Sequence, residues 1–327
     1  MTFYINFLQN KLLVLKLSVV SPVYRAEKDL EELVTRIKKA LPSDFLSLEI
    51  ILVDDFSPDD SWKEIERLAK IHQEILGIKL SRNFGQHYAI TAGLDHVSGD
   101  YIVVLDCDLQ DKPEEILKLF KKSKEGFDIV LARRFNRQDS FIKKLFSKLF
   151  YKTLGYLTGS KQDETVANYG IYKRNVINEV CNLRESIRYF PTMVKWVGFK
   201  TAYVDVEHAS RQQGESNYNL KKMLNLALDI ILAFSDKPLR LIIKLGMSIA
   251  FISILMAIFA IYSKISGDVS VSGYASLITS IWFLSGCILI TLGVIGLYVG
   301  KTFEGVKNRP IYIIERKVNT VENDKDK

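Results

Sequence analysis

Two aspartates two residues apart, Asp106 and Asp108, stand in the stretch GDYIVVLDCDLQDKPE (99–114), with Gln110 at the next position of the same parity. Side chains alternate along an extended backbone, so all three oxygens can share one face and grip a hard divalent cation, Mg²⁺ or Mn²⁺. Three donors leave room for water and for a diphosphate, the usual setting of such an ion in phosphate chemistry. Ahead of them, Tyr101 to Leu105 is short, apolar and β-branched, which reads as a buried strand of the parallel kind. Its C-terminal end would deliver the carboxylates to the sheet edge where ligands gather. A D-x-D triplet also arises by chance on solvated loops, so the surrounding chain has to decide.

The elements that would position this site alternate in type. Leu17 to Val23 is an apolar strand, and Leu30, Leu33, Val34 and Ile37 follow with helical period. Glu49 to Val53 is a second strand, leading into Asp54-Asp55-Phe56-Ser57-Pro58-Asp59, a turn-rich run with Asp60 or Ser61 as helix N-cap. Ile78 to Leu80 is a third strand, and Gln86 to His96 a helix. After the fourth strand Pro113 opens another helix, and Phe127 to Ala132 is a fifth strand. Tyr169 to Lys173 and Thr201 to Val206 are strand-like, with Ile187 to Val197 helical between them. This alternation is that of a doubly wound α/β domain with its active loops along one edge of the sheet. Neither GxxxxGK[ST] nor GxGxxG occurs, so phosphate has to be handled by metal and basic side chains.

The chain has 327 residues, 45 Lys+Arg against 38 Asp+Glu, and 48% hydrophobic residues, enough for one sizeable soluble domain plus a membrane part. A net charge of +7 suits nucleic acid or anionic lipid, and the placement of the charge decides for lipid and against nucleic acid. Cys107, Cys181 and Cys287 are far apart with no CxxC spacing, which fits a reducing compartment and no zinc site. His72, His87, His96 and His208 lack metal-ligand spacing and read as structural or surface residues, with His87 the best exception. Met1 to Lys16 is an extension without a small-residue cleavage site, so the domain that follows is expected to stay cytosolic.

Five ordered motifs carry a family resemblance: Ser18-Val-Val-Ser-Pro-Val-Tyr24, Val53-Asp-Asp-Phe-Ser57, Ser81-Arg-Asn-Phe-Gly85, Ala92-Gly-Leu94 and Asp106-Cys-Asp-Leu-Gln110. Together they resemble the inverting family 2 glycosyltransferases of the GT-A fold, and among them the polyprenyl-phosphate glycosyltransferases. That group includes undecaprenyl-phosphate formamidoarabinose transferase, bactoprenol glucosyltransferase and dolichyl-phosphate mannose synthase. Arg82-Asn-Phe-Gly-Gln-His87 and Asn136-Arg-Gln-Asp-Ser140 are similar to motifs of the first. The resemblance implies a nucleotide-diphosphate sugar as donor and a polyprenyl phosphate as acceptor. It implies that Pro22, Tyr24, Glu27, Asp54, Asp55, Arg82 and Asp106 bind the nucleotide sugar, and that Asp106, Asp108 and Gln110 hold the divalent metal. Asp106, Asp108 and Arg134 are the implied catalytic set, with Arg134, Lys143, Ser147 and Arg211 toward the acceptor phosphate. Three departures bear on the identity of the sugar: Lys143 where Arg is usual, Asn217 in place of the Lys of GESKY, and Asn168-Tyr-Gly170 in place of a GDFR-like pattern.

Beyond the domain, Phe141 to Leu157 interleaves aromatic and basic residues, which suits a helix lying on anionic lipid or a core helix of the domain. Leu220 to Phe234 is a second such segment. Leu245 to Tyr262 carries no charge over a length near the roughly 20 residues that cross a bilayer, and Val269 to Gly300 is uncharged too. Lys237, Arg240 and Lys244 precede the pair and Lys301, Lys307 and Arg309 follow it, so the positive-inside bias puts both ends in the cytosol. The expected layout is an extension (1–16), a GT-A domain (17–218), an interfacial helix (219–237), two transmembrane helices (238–300, about 241–263 and 274–299) and a cytosolic tail (301–327). The protein is then a multi-pass inner-membrane enzyme, with membrane lipids as partners and homo-oligomerisation left open. A processive polysaccharide synthase would show QxxRW and more spans, and neither is found. A non-catalytic scaffold that binds nucleotide sugar, or a transferase with another lipid or glycan acceptor, are the alternatives.

Overall fold

The computed structural model describes residues 15–41, 46–134, 166–185, 187–207, 237–266 and 273–319, together with Gly155, Ile231 and Ser235. The described residues form two compact units, a sheet domain and a pair of long helices.

The sheet domain contains strands β1 (Leu15–Val23), β2 (Leu46–Asp54), β3 (Ile75–Leu80), β4 (Tyr101–Val104), β5 (Ile129–Arg134), β6 (Val166–Lys173), β7 (Thr201–Val206) and β8 (Ile314–Val318), in the order β7-β5-β6-β4-β1-β2-β3-β8. β1, β2, β3 and β4 are mutually parallel, with Val19 opposite both Ile50 and Val103. β6 and β8 run antiparallel to their neighbours on either side of this block. The parallel block is apolar because helices cover both of its faces, and Val19, Val20, Ile50, Ile51, Val103 and Val104 are all fully buried. All four of its strands therefore end at one edge, where the conserved direction of the chain places the loops after Val23, Asp54, Leu80 and Val104.

Helix α1 (Leu30–Ala40) buries Leu30, Leu33, Val34 and Ile37 at helical spacing, with Glu31 and Glu32 in its first turn and Lys38 and Lys39 in its last, the favourable sense for the helix dipole. Helix α2 (Ser61–Ile71) follows β2. Asp60 is its N-cap residue, without a side-chain capping hydrogen bond, and Asp59 accepts from the Ser61 hydroxyl (2.7 Å) and amide (3.3 Å). Helix α3 (Gln86–Leu94) stops two residues earlier than its apolar pattern implies, with Asp95 as C-cap. After β4, a single 3₁₀ turn (Pro113–Glu115) leads into α4 (Ile116–Ser123).

Two short helices complete the domain. α5 (Arg174–Asn182) buries only Val176, Ile177 and Val180, too brief a period to stand out in the sequence. α6 is confined to Phe190–Trp196 because Pro191, which lacks an amide hydrogen, belongs in a first turn. The tail also differs from expectation. Ile311 to Ile314 reads as β-like in the sequence, whereas the strand is Ile314–Val318, and residues 311–319 belong to the sheet domain.

The second unit consists of α7 (Lys237–Ile265) and α8 (Tyr274–Val306), both longer than the expected spans. Lys237–Met256 and Ser280–Val306 are long and apolar enough to cross a membrane. Side chains such as Phe251, Phe259, Trp282 and Leu289 are exposed along them, a continuous apolar surface that water does not tolerate.

Tight packing of α3 on β1 depends on Gly93, where an added Cβ would fall well inside the contact distance of Val20 Cγ1 and 3.2 Å from Val53 Cγ2. Helix propensity alone would make Gly93→Ala stabilising by about 1 kcal/mol, whereas overpacking costs about 1–3 kcal/mol. The steric term should win, lowering the melting temperature of the detergent-solubilised protein by about 2–6 °C. An increase would show that α3 does not lie so close to the sheet.

Candidate active site

Pro22 is buried near the end of β1, and the loop that follows presents Tyr24, Arg25 and Glu27, all exposed. Tyr24 is 44% exposed, and Phe56 in the loop after β2 is 47% exposed, so two aromatic faces stand at adjacent strand ends. The Tyr24 amide hydrogen-bonds to the sulfur of Cys107, whose burial pushes the thiol up to about 12 and keeps it protonated. Arg25 N donates to Ser57 Oγ at 3.2 Å and Ala26 N to Ser61 Oγ at 3.1 Å, tying this loop to the next. Arg25, Phe56 and Leu109 each hold φ near +57°, in the left-handed region that side chains disfavour. One such residue follows each of β1, β2 and β4, the strands whose ends are being brought together.

Asp54 ends β2, and Asp55 is the next residue. Asp54 Oδ1 accepts from Ser57 N at 3.1 Å, and its other oxygen is buried with no hydrogen-bond partner among the described residues. Asp55 accepts from Phe84 N at 2.7 Å and Gly85 N at 2.9 Å, one amide to each carboxylate oxygen. Burial raises both carboxyls, that of Asp55 to about 6, against the pull of the two amides and of Arg82. Arg82 itself is exposed and stacks on Phe84, with its guanidinium carbon 4.2 Å from the ring centre.

Gly85, at φ +109°, turns the chain into α3. The next side chain, Gln86, donates from Nε2 to Asp106 Oδ1 at 2.7 Å. His87 is turned inward, edge-to-face on Tyr189 with ring centres 4.8 Å apart. Burial, and secondarily the Arg188 charge, lower its pKa to about 4, so it is neutral and structural.

β4 ends at Val104, one residue sooner than expected, and Asp106 to Gln110 form a turn. The alternation survives: Asp106, Asp108 and Gln110 are partly open while Cys107 and Leu109 are buried. Gln110 N closes the turn on Asp108 Oδ1 at 3.2 Å. Among the described residues no third His, Cys, Asp or Glu joins the pair. Two carboxylates and an amide oxygen make a hard-oxygen set that fits Mg²⁺ or Mn²⁺ shared with a phosphate ligand, and does not resemble a closed structural site.

The structure thus brings Pro22, Tyr24, Asp54, Asp55, Arg82, Asp106, Asp108 and Gln110 to one sheet edge. Arg134 ends β5, and its side chain lies outside the described residues, as do Lys143, Ser147 and Arg211 and the segments 141–157 and 220–234 apart from Gly155 and Ile231. Sequence reading passed over Gln86 and Phe56. Gln86 lies inside a quoted motif, but its partner is 20 residues away and only the fold reveals it.

A block of four parallel strands, of which β2 and β4 lead into paired carboxylates, flanked by antiparallel strands, has the mixed α/β architecture of the GT-A fold. Residues 18–181 match the model of glycosyl transferase family 2, and the chain belongs to that family. It is 38% identical over 303 residues to an uncharacterized glycosyltransferase of Synechocystis, covering 92% of this chain and 95% of that one. It is 34% identical over 314 residues to the undecaprenyl-phosphate 4-deoxy-4-formamido-L-arabinose transferase of Proteus mirabilis (95% and 96% covered), and 36% over 301 residues to that of Shewanella sediminis (91% of each). A crystal structure of glucosyl-3-phosphoglycerate synthase of Mycobacterium tuberculosis, with Mn²⁺, UDP-glucose and phosphoglyceric acid, superposes with a TM-score of 0.50. It is 16% identical and covers 67% of this chain and 78% of that one, a likeness of fold.

Asp55 supplies a pH test. Its carboxyl is raised from 3.8 to about 6 in the folded state, so between these values the native protein binds more protons than the unfolded chain. Stability from this group is therefore present at acid pH and lost as pH rises toward and through 6. Relative to Asp55→Asn, the wild type should gain a few degrees in melting temperature on going from about pH 7 to about pH 4. A difference that does not change with pH would show that Asp55 titrates as an ordinary carboxyl.

Proposed function

We propose that this protein transfers one sugar from a nucleotide-diphosphate sugar to a polyprenyl phosphate, with inversion at the anomeric carbon, at the cytosolic face of the inner membrane. The observation that carries the reading is the Gln86–Asp106 bond. It joins the loop holding Asp55 to the carboxylate turn, so that a nucleotide end and a diphosphate end belong to one site. Two findings support it further: relatives named as undecaprenyl-phosphate sugar transferases match over more than nine-tenths of both chains, and the two long apolar helices suit a lipid acceptor.

On this reading Tyr24 and Phe56 offer faces to the base, and Asp55, Pro22, Glu27 and Arg82 surround the nucleotide. Asp106, Asp108 and Gln110 would hold Mg²⁺ or Mn²⁺. Such an ion neutralises the charge that develops on the departing diphosphate. Glu27, Asp54, Asp55, Asp106 and Asp108 stand against Arg25, Lys79 and Arg82 in the described part of the site, a net negative balance, so a second anion needs further positive charge. Arg134, Lys143 and Arg211, with the hydroxyl of Ser147, are assigned to the acceptor phosphate, where Arg offers a bidentate fork and Lys a point charge. A phosphate monoester has a second pKa of roughly 6 and is largely dianionic at neutral pH. Once positioned it attacks directly, without a general base, and a single displacement inverts the configuration. Lys237, Arg240 and Lys244 in the first turns of α7, and Lys301 in the last turns of α8 with Lys307 and Arg309 beyond it, favour a hairpin with both ends in the cytosol.

The purified full-length protein, given a panel of nucleotide sugars and undecaprenyl phosphate with Mg²⁺ or Mn²⁺, should make a polyprenyl-phosphate sugar detectable by mass spectrometry, with the anomeric configuration inverted. Asp106→Asn and Asp108→Asn should each reduce turnover on the order of a hundredfold or more while the melting temperature changes little. Full activity in chelator would overturn the metal assignment, and a product of retained configuration would overturn direct displacement.

A further inference from the structure

The chain between Ser81 and Asp95 carries three of the contacts that define the site, since Phe84 and Gly85 hold Asp55 and Gln86 holds Asp106. Both ends of this segment are fastened by two consecutive residues of the C-terminal tail. At its start, Ser81 N donates to Ile313 O at 2.9 Å, continuing the β3–β8 ladder of Gly77↔Val318, Ile78↔Lys317, Lys79↔Arg316 and Leu80↔Ile314. At its finish, the half-buried Tyr312 donates its hydroxyl to Asp95 Oδ2 at 2.8 Å, on the C-cap of α3. Asp95 is held from the other side by Arg184, whose two terminal nitrogens each lie 2.8 Å from a carboxylate oxygen. Lys79 and Glu315, 3.1 Å apart, lock the register of the ladder beside the loop.

We propose that Tyr312 and Ile313, which the chain reaches only after both apolar helices, are positioning residues for the donor site, holding the Ser81–Asp95 segment by its two ends. The proposal rests on the donor-site reading given above. α3 is a nine-residue helix, about 14 Å long, whose inner face is packed on the sheet. It moves as a rod, so freedom at Asp95 is passed to Gln86 at the other end. Freedom at Ser81 is passed through four residues to the amides on Asp55. They act through the segment that they fasten at Ser81 and Asp95.

A purely architectural edge strand would lower thermal stability when weakened and leave the affinity of the folded protein unchanged. The test uses the full-length protein and UDP with Mn²⁺ as probe, GDP and CDP being run in parallel. Tyr312→Phe keeps the ring and removes one hydroxyl, and it should weaken nucleotide binding by calorimetry about three- to tenfold. The melting temperature should hardly move. Binding and fastening are linked, so in the wild type UDP with Mn²⁺ should also slow hydrogen exchange at residues 312–318. This second readout needs no variant to fold. Equal affinity of Tyr312→Phe and wild type, or unchanged exchange at 312–318 on saturation, would overturn the proposal. Failure of the wild type to bind any of the three diphosphates with metal would instead overturn the donor-site reading itself.

Discussion

The carboxylate of Asp55 is buried at the end of a parallel strand and accepts one backbone amide on each oxygen, from Phe84 and Gly85. An unpartnered carboxylate at that depth would be strongly disfavoured, and the two amides are what make its ionised form tolerable. The requirement runs both ways, because satisfying Asp55 fixes the course of the loop after β3. That course sets where α3 begins, and α3 begins with the residue that holds Asp106. A pairing inside one sheet edge thus aligns the ends of β2, β3 and β4. β1 is tied in separately, by Ser57 and Ser61 to its loop and by the Tyr24 amide to Cys107.

The site that results is strongly acidic on its described side. Asp54 and Asp55 are both raised by burial, and Asp106 and Asp108 are both partly open in one turn. Such an arrangement has little use for a substrate anion without an intervening cation, which connects the carboxylates with phosphate chemistry. The apolar helices belong to the same logic. For the proposed polyprenyl acceptor, two helices apolar enough to cross a membrane would let the isoprenoid tail stay in hydrocarbon while its phosphate meets a polar site.

Much of the sheet is legible in the sequence because the parallel strands are buried on both faces and appear as unbroken apolar runs. Thr201–Val206 alternates buried and exposed positions and is found with its exact bounds. The carboxylate turn is legible too, since parity alone groups Asp106, Asp108 and Gln110. What escapes the sequence is whatever depends on distance along the chain. β8 reads IERKV, a charged strand of the kind that serves at a sheet edge, and its partner β3 lies more than 230 residues earlier in the fold, as the Lys79–Glu315 separation of 236 residues illustrates. Tyr312 and Asp95 are separated by 217 residues, and no local pattern could pair them. α5 is hidden for a different reason, having only one short buried stripe.

That the four loops compose a single donor site is most directly tested by a crystal structure of the full chain grown with UDP and Mn²⁺, with the metal located by its anomalous scattering. One site requires Mn²⁺ bound directly by Asp106 and Asp108, and the same UDP molecule reaching back to Tyr24 and Asp55. Mn²⁺ bound away from the two carboxylates, or a nucleotide that does not contact Asp55 while its diphosphate meets the metal, would contradict it.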